Sequence, residues 1–336
     1  MELTETKNLK ELSLEQVNET KRTKILKRFV TILPIGAGFL HLWEYNFIPN
    51  YRLNTSTNTY NIFIGFFLGI LIIWFIFSFF KKNIYEKLAY KSPFYAVLFL
   101  LLTAYDVATL KTGKLALPYF PWLDQILNAM ISDRKKLLDC TGNSLQLLFN
   151  GYFKGIAAGI ICGVGAGWSR KIYYWIYPVT KILGAVPTTT YMPIVMMLAA
   201  SLESGSAFII ALGVWFPVTM TTMTGVANVR KHYFEVARTL GTKQIGILFR
   251  VAVPAALPGI FNGLTQGMSV ACLTLVVAEM MGVKSGLGWY VNWQKGWANF
   301  SKMYGAIALI CITFIATNGI LNLIKRRVLR WQKGAV

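Results

Sequence analysis

Charge is what this 336-residue chain has least of. Only 14% of its residues are Asp, Glu, Lys or Arg, where a soluble domain carries roughly 25%, and the deficit excludes an ordinary water-soluble globule. Acidic residues are scarcer still: 14 stand against 34 Lys and Arg, a formal net charge of +20. There are two histidines, His41 and His232, far apart and without a shared ligand spacing. Of the four cysteines, Cys162, Cys272 and Cys311 lie inside apolar runs and Cys140 in a polar loop, so neither a disulfide framework nor a metal site is expected. No Ser/His/Asp or Cys/His set, paired carboxylates or H-E-x-x-H pattern stands out, and no enzymatic chemistry is expected. A G-x-x-x-x-G-K-S/T phosphate loop is missing too, so any ATP used with this chain belongs to another polypeptide. The first twenty residues are polar and mixed in charge, unlike a secretory signal that runs from cations straight into an apolar core.

What the chain has in abundance is apolar length. Hydrophobic residues make up 55% and the mean hydropathy is +0.49, which predicts an all-α polytopic membrane protein with about eight crossings. The expected spans are 29–48, 60–80, 94–110, 145–168, 173–200, 206–226, 247–281 and 304–324. Cations cluster at their ends: Lys21, Arg22, Lys24, Lys27 and Arg28; Lys81, Lys82, Lys87 and Lys91; Arg170 and Lys171; Lys325, Arg326, Arg327 and Arg330. The positive-inside rule makes these cytoplasmic, along with both termini. Because they flank apolar runs, the partner implied is anionic lipid and not nucleic acid.

The first span is the weakest, since Pro34, His41 and Glu44 are costly against lipid, but a crossing is needed between the first two basic clusters. Between 110 and 145, Pro118 and Pro121 lead into a short amphipathic piece, with Tyr119 and Trp122 expected at headgroup depth. Arg134, Lys135 and Lys136 run against the charge rule there, partly offset by Asp133 and Asp139. No two-halved internal repeat is visible.

Two stretches carry geometry. From 145 to 168, Gly151, Gly155, Gly159, Gly163 and Gly167 place a small residue at every fourth position, a stripe that lets another helix approach closely. The 173–200 span holds Pro178, Pro187 and Pro193, and broken backbone at membrane depth is tolerated where it is buried in protein or lines a cavity. The piece Pro187, Thr188, Thr189, Thr190, Tyr191, Pro193 is therefore a candidate for the translocation path. Its hydroxyls serve either a polar or anionic solute or the carbonyls freed by the prolines. Glu279, near the outer end of its span, is expected to be an interfacial or helix-capping group.

The remaining polar interruption runs from Arg230 to Pro258. Val236, Ala237 and Leu240 recur at helical spacing, Gly241 is the expected helix stop, and Thr242 is placed to cap the helix that follows. Arg230, Lys231, Arg238, Lys243 and Arg250 put the loop on the cytoplasmic side. The spacing of Glu235, Ala237, Gly241, Val251 and Pro254 resembles the cytoplasmic loop of permease subunits of ATP-binding-cassette (ABC) importers, with Val236 where that family usually has alanine. GNSL at Asn143, AEMMG around Glu279 and SGLGW after Lys284 are similar to the nitrate, sulfonate, taurine and bicarbonate branch.

The resemblance implies a type I importer core over 140–327, a coupling loop at 228–254 that docks a separate ATPase through Glu235, Val236, Ala237, Leu240, Gly241 and Pro254, a permease homodimer and an external solute-binding protein. Ahead of the core it leaves a polar and basic tail (1–28), a two-span extension (29–92) and a third span with its outer loop (93–139); residues 328–336 form a cytoplasmic tail. The alternative class is an ion-coupled secondary transporter using Asp106, Glu203 or Glu279.

Overall fold

Five glycines in a row of fourth positions dictate the best-packed part of the chain. In the computed structural model, which describes residues 29–52, 54–115 and 117–331, every described element is helical. The chain divides into two compact units, Met1–Ile131 and Ser132–Val336. The expected 1–28 tail lies outside the described residues, as does 332–336.

Among the described residues six helices are long and apolar enough to cross a membrane, or seven if one bent pair is a single span. They correspond to all the expected crossings but the first.

In the second unit, α5 (Arg134–Trp168) meets α8 (Leu202–Ala227) along the glycine stripe. A Cβ at Gly151, Gly155, Gly159, Gly163 or Gly167 would fall 2.6–2.8 Å from the Cβ of Ile210, Val214, Val218, Thr222 or Val226 respectively. Positions advance together along both helices, so α5 and α8 run parallel. The chain between them must return, which makes α6 (Arg170–Ala185) and the segment Thr188–Leu198 one crossing, bent by 89°. On its other side α8 meets α11 (Val253–Gly282): Gly259, Gly263 and Gly267 approach Thr221, Val218 and Val214 in descending order, so this pair is antiparallel. Leu148, Tyr152, Ile210, Val214, Val218, Met268 and Leu275 form the shared core. The unit is completed by α12 (Leu287–Gly296) and α13 (Phe300–Val328).

The first unit holds α1 (29–47), α2 (Asn58–Phe80), α3 (Lys82–Asp106) with a π-helical turn Val107–Lys111, and most of α4 (Leu123–Ser132). α1 is not among the helices apolar enough to cross. Its two costliest side chains are turned into protein: His41 is 0% and Glu44 3% exposed. The third span begins earlier than its apolar run, because Lys82–Lys91 ends the apolar composition without ending the helix. Tyr119 is exposed as expected, but Trp122 is not at an interface: it is 6% exposed and packs with Tyr45, Tyr60, Phe99 and Leu110.

Candidate functional site

The loop that interrupts α8 and α11 folds as α9 (Lys231–Thr239), with Arg230 and Leu240 as its flanking residues. Gly241 ends it in a Schellman arrangement: its N–H donates to Arg238 O at 2.9 Å, the Thr242 N–H donates to Ala237 O at 3.1 Å, and Gly241 sits at φ +74°. Thr242 is therefore used to close α9 and does not cap the next helix, which starts after Lys243 without a side-chain cap. The short α10 (Gln244–Ile247) leads through a π-helical turn, Leu248–Ala252, into α11 as one unbroken helix, with Pro254 just beyond the π-helical turn.

The expected apolar trio of this loop is split. Ala237 is 7% exposed and faces inward, beside Phe234, which packs against Val226, Ala252, Ala256 and Ile260 and meets Trp168 edge-on at 5.9 Å. Val236 and Leu240 face outward, Leu240 at 79% exposure, together with Tyr233, Ile245 and Phe249. Glu235, Gly241 and Pro254 are exposed as well.

The second candidate set lies where α6 stops. Of the three prolines only Pro187 stands at the break: Pro178 is inside α6, and Pro193 is in the first turn of α7 (Met192–Leu198). Thr188–Tyr191 form a 3-10 turn, closed by Thr190 N–H donating to Pro187 O at 2.9 Å. Gly213 of α8 leaves room for Thr188, whose hydroxyl would lie 3.2 Å from an added Cβ there, with Val270 and Thr274 of α11 alongside. Tyr191 packs on Met192, Ile209 and Ala278. Thr180, Thr221, Thr265 and Thr313 each donate to a carbonyl three or four residues back. The Thr188, Thr189 and Thr190 hydroxyls make no such bond among the described residues. Sequence reading missed Thr219 and Thr222 of α8, fully buried with hydroxyls that find no partner among the described residues; their spacing is that of any helical face and carried no signal.

Glu279 is a capping group. It is 1% exposed at the end of α11, accepts from Ser144 Oγ at 2.6 Å and from the Gly288 N–H at 2.7 Å, while Ser144 Oγ accepts from the Leu287 N–H at 2.8 Å. The first turn of α12 is thus held by one carboxylate and one hydroxyl from two other helices. Gly286, at φ +141°, and Gly288 lie against the Glu279 side chain, where a Cβ has no room. Nearby, Asp133 accepts from Tyr290 Oη at 2.7 Å and pairs with Lys302 at 2.9 Å, and Lys136 pairs with Asp139 at 3.6 Å. Burial would raise the Asp133 carboxyl, but the hydrogen bonds from Tyr290 and Lys302 outweigh it and hold that carboxyl below its ordinary range. Of the other carboxylates considered for ion coupling, Glu203 is exposed in the first turn of α8 and Asp106 belongs to the first unit.

Residues 155–333 match the family described as binding-protein-dependent transport system inner membrane component. A Bacillus subtilis (strain 168) permease protein named for aliphatic sulfonates transport is 31% identical over 182 residues, 54% of this chain and 66% of that protein. The taurine transport system permease protein of Escherichia coli (strain K12) is 29% identical over 232 residues, 67% of this chain and 84% of that protein. The nitrate import permease protein of Leptolyngbya laminosa is 28% identical over 185 residues, 55% and 66% of the two chains. In fold the chain is similar to a chain of the MetNI methionine ABC transporter in an inward-facing conformation, with TM-score 0.51 and 18% identity over 59% of this chain and 98% of that one. The family match covers more than half of the chain and the relatives and the fold agree with it: this chain belongs to the binding-protein-dependent transport system inner membrane components, the permease subunits of ABC importers.

Proposed function

We propose that this permease forms the translocation path for a small anionic solute of the sulfonate, nitrate, taurine or bicarbonate type. In this reading a separate ATPase subunit supplies the energy and docks on α9, an extracytoplasmic solute-binding protein delivers the solute, and two copies of the chain face each other in the bacterial plasma membrane. Both termini and α9 are cytoplasmic, and the chain carries no cofactor of its own. Glu235, Val236 and Leu240 contact the ATPase, Ala237 anchors α9 from within, Gly241 fixes the angle to the following helix, and Pro254 starts α11. Pro187, Thr188, Thr189, Thr190, Tyr191 and Pro193 contribute to the path, with the three threonine hydroxyls as donors to the anion.

The observation that carries the reading is α9 itself. It shows apolar side chains outward on a basic loop, with Leu240 79% exposed, while Phe234 packs the other face against Val226 of α8 and Ala256 and Ile260 of α11 and Ala237 is buried. A helix held on one side and apolar on the other suits a partner's groove. In the complex reconstituted with its ATPase, Leu240→Asp is expected to lower solute uptake at least about tenfold, roughly 1.4 kcal/mol of lost coupling, while the permease stays folded in the membrane. Gly241→Val, which forces a branched side chain into the left-handed region at a cost of about 1–2 kcal/mol, is expected to lower uptake as well. Normal uptake in both variants overturns the docking role.

A further inference from the structure

The first unit contains buried charge whose donors and acceptors do not balance. Lys111 is 7% exposed, and its three ammonium hydrogens are all used: it donates to Tyr45 O at 2.7 Å, Ile48 O at 2.8 Å and Asn50 Oδ1 at 3.0 Å. Asp124 is matched by the start of α2, where the Thr57 N–H donates at 2.8 Å and the Thr57 hydroxyl at 2.6 Å. His41 is neutral by its partners. The Thr103 hydroxyl donates to Phe99 O at 2.9 Å and so accepts from His41 Nδ1 at 3.0 Å, which leaves Nε2 to accept the Tyr60 hydroxyl at 2.7 Å. An imidazolium there would leave that tyrosine hydrogen without an acceptor.

Two carboxylates remain. Glu44 of α1 is 3% exposed and Asp106 of α3 is 0% exposed, and all four of their oxygens are buried without a hydrogen-bond donor among the described residues. His41 Nδ1 stands 3.9 Å from Glu44 Oε2, but its hydrogen goes to Thr103. The charges that act on Asp106 are those of Glu44, Lys111 and Asp124, and Lys111 acts on Glu44. With Asp124 matched at the α2 terminus, two carboxylates lie in the field of one ammonium, whose hydrogens all go to other acceptors, and one negative charge is uncompensated. A buried carboxylate without a donor or counter-charge is not a stable arrangement.

We propose that the first unit binds one cation of single positive charge, a proton or an alkali-metal ion, at the Glu44 and Asp106 carboxylates. Its charge matches the excess. Among the described residues no group of three His, Cys, Asp or Glu side chains that could hold a metal ion is present; the single charge of the cation follows from the single negative charge in excess. Glu44 and Asp106 belong to different helices, and the bound cation adds a tie between α1 and α3 to the one made by His41 and Thr103. It supplies a way for α1 to keep a carboxylate in the interior of the unit. The site lies outside the residues matched by the transport family, which begin at residue 155, and does not depend on the solute proposed above.

The test is infrared spectroscopy of the full chain in lipid nanodiscs at neutral pH, with choline, sodium or potassium as the buffer cation, read in the carboxylic-acid carbonyl region. Spectra of Glu44→Gln and Asp106→Asn, each subtracted from that of the unaltered protein, assign the signal. If a proton is the cation, a carboxylic-acid band is present in all three salts and disappears in either variant. If an alkali ion is the cation, the band is present in choline, is lost when sodium or potassium is added, and the melting temperature rises with the same ion. Absence of the band from both residues in every salt overturns the proposal, since both carboxylates are then ionised together with nothing bound. Each single variant removes one excess charge and is expected to keep or raise the melting temperature. The double variant leaves Lys111 without a counter-charge and is expected to melt below both singles; a double variant as stable as the singles also overturns the proposal.

Discussion

α2 and α8 invert the rule that the most apolar element lies deepest in the protein. The most apolar window of α2 has a mean hydropathy of 2.7 and is 17% buried within the protein; that of α8 has 1.6 and is 56% buried. In water the apolar side chains would be inside. In a bilayer, lipid is as apolar as leucine, so hydropathy reports exposure to lipid while packing depends on small residues and shape. α8 is central because glycines of α5 and α11 allow its Val214 and Val218 to be gripped from two sides. α2 buries only Tyr60, Ile64, Leu68 and Ser78 in its unit and leaves most of its large apolar side chains outward.

The largest expected effect comes from filling the stripe. In Gly155→Ala the new Cβ lies 2.5 Å from the Ala211 carbonyl oxygen and 2.7 Å from the Val214 Cβ, both fixed parts of α8. Neither can rotate away, so the helices have to separate, at a cost of about 3 kcal/mol. Thermal unfolding in detergent measures it; an unchanged midpoint shows that the close approach of α5 and α8 does not hold the unit together.

The stripe was legible in the sequence because its period coincides with the helical repeat. Gly241 was legible for a similar local reason, and so was the broken span, although three prolines could not show that only Pro187 stands at the break. Trp122 was not legible: an aromatic after two prolines has the same composition whether it meets headgroups or Tyr45 and Phe99. Glu279 was read as capping or interfacial, but its partner Ser144 is 135 residues away in sequence, and no periodicity connects the two. The neighbours of Glu44 and Asp106 were hidden for the same reason. Nor did the spacing of Val236, Ala237 and Leu240 reveal that one points inward, since a nine-residue helix has no neighbour in the sequence to define its inner face.

An intermediate effect tests whether polar contacts matter as much in the second unit as small residues do. Glu279→Ala removes the acceptor for the Gly288 N–H and the Ser144 hydroxyl, both buried. Two donors left unsatisfied cost about 1–3 kcal/mol each by the general range, reduced by whatever water enters, so about 2 kcal/mol in total is expected. Hydrogen exchange is expected to rise specifically in α12, Leu287–Gly296, with α5 and α8 unaffected. Uniform loosening of the whole unit contradicts a role confined to fastening α12.

The smallest effect has the opposite sign and completes the contrast. Gly69 lies in α2, and a Cβ built there meets nothing within 4 Å. The substitution that separates α5 from α8 therefore finds open space, and what remains is the backbone term: glycine loses more conformational freedom on entering a helix than alanine does. Gly69→Ala is expected to stabilise by about 0.5 kcal/mol, toward the low end of the difference between the two residues in a helix interior. Measured beside Gly155→Ala in the same detergent, a positive shift for one and a large negative shift for the other separates glycine as a packing surface from glycine as a mere flexible residue. A destabilising Gly69→Ala would mean that this face of α2 is covered in the assembled protein, and the low burial of α2 would then describe a single chain and not the complex in the membrane.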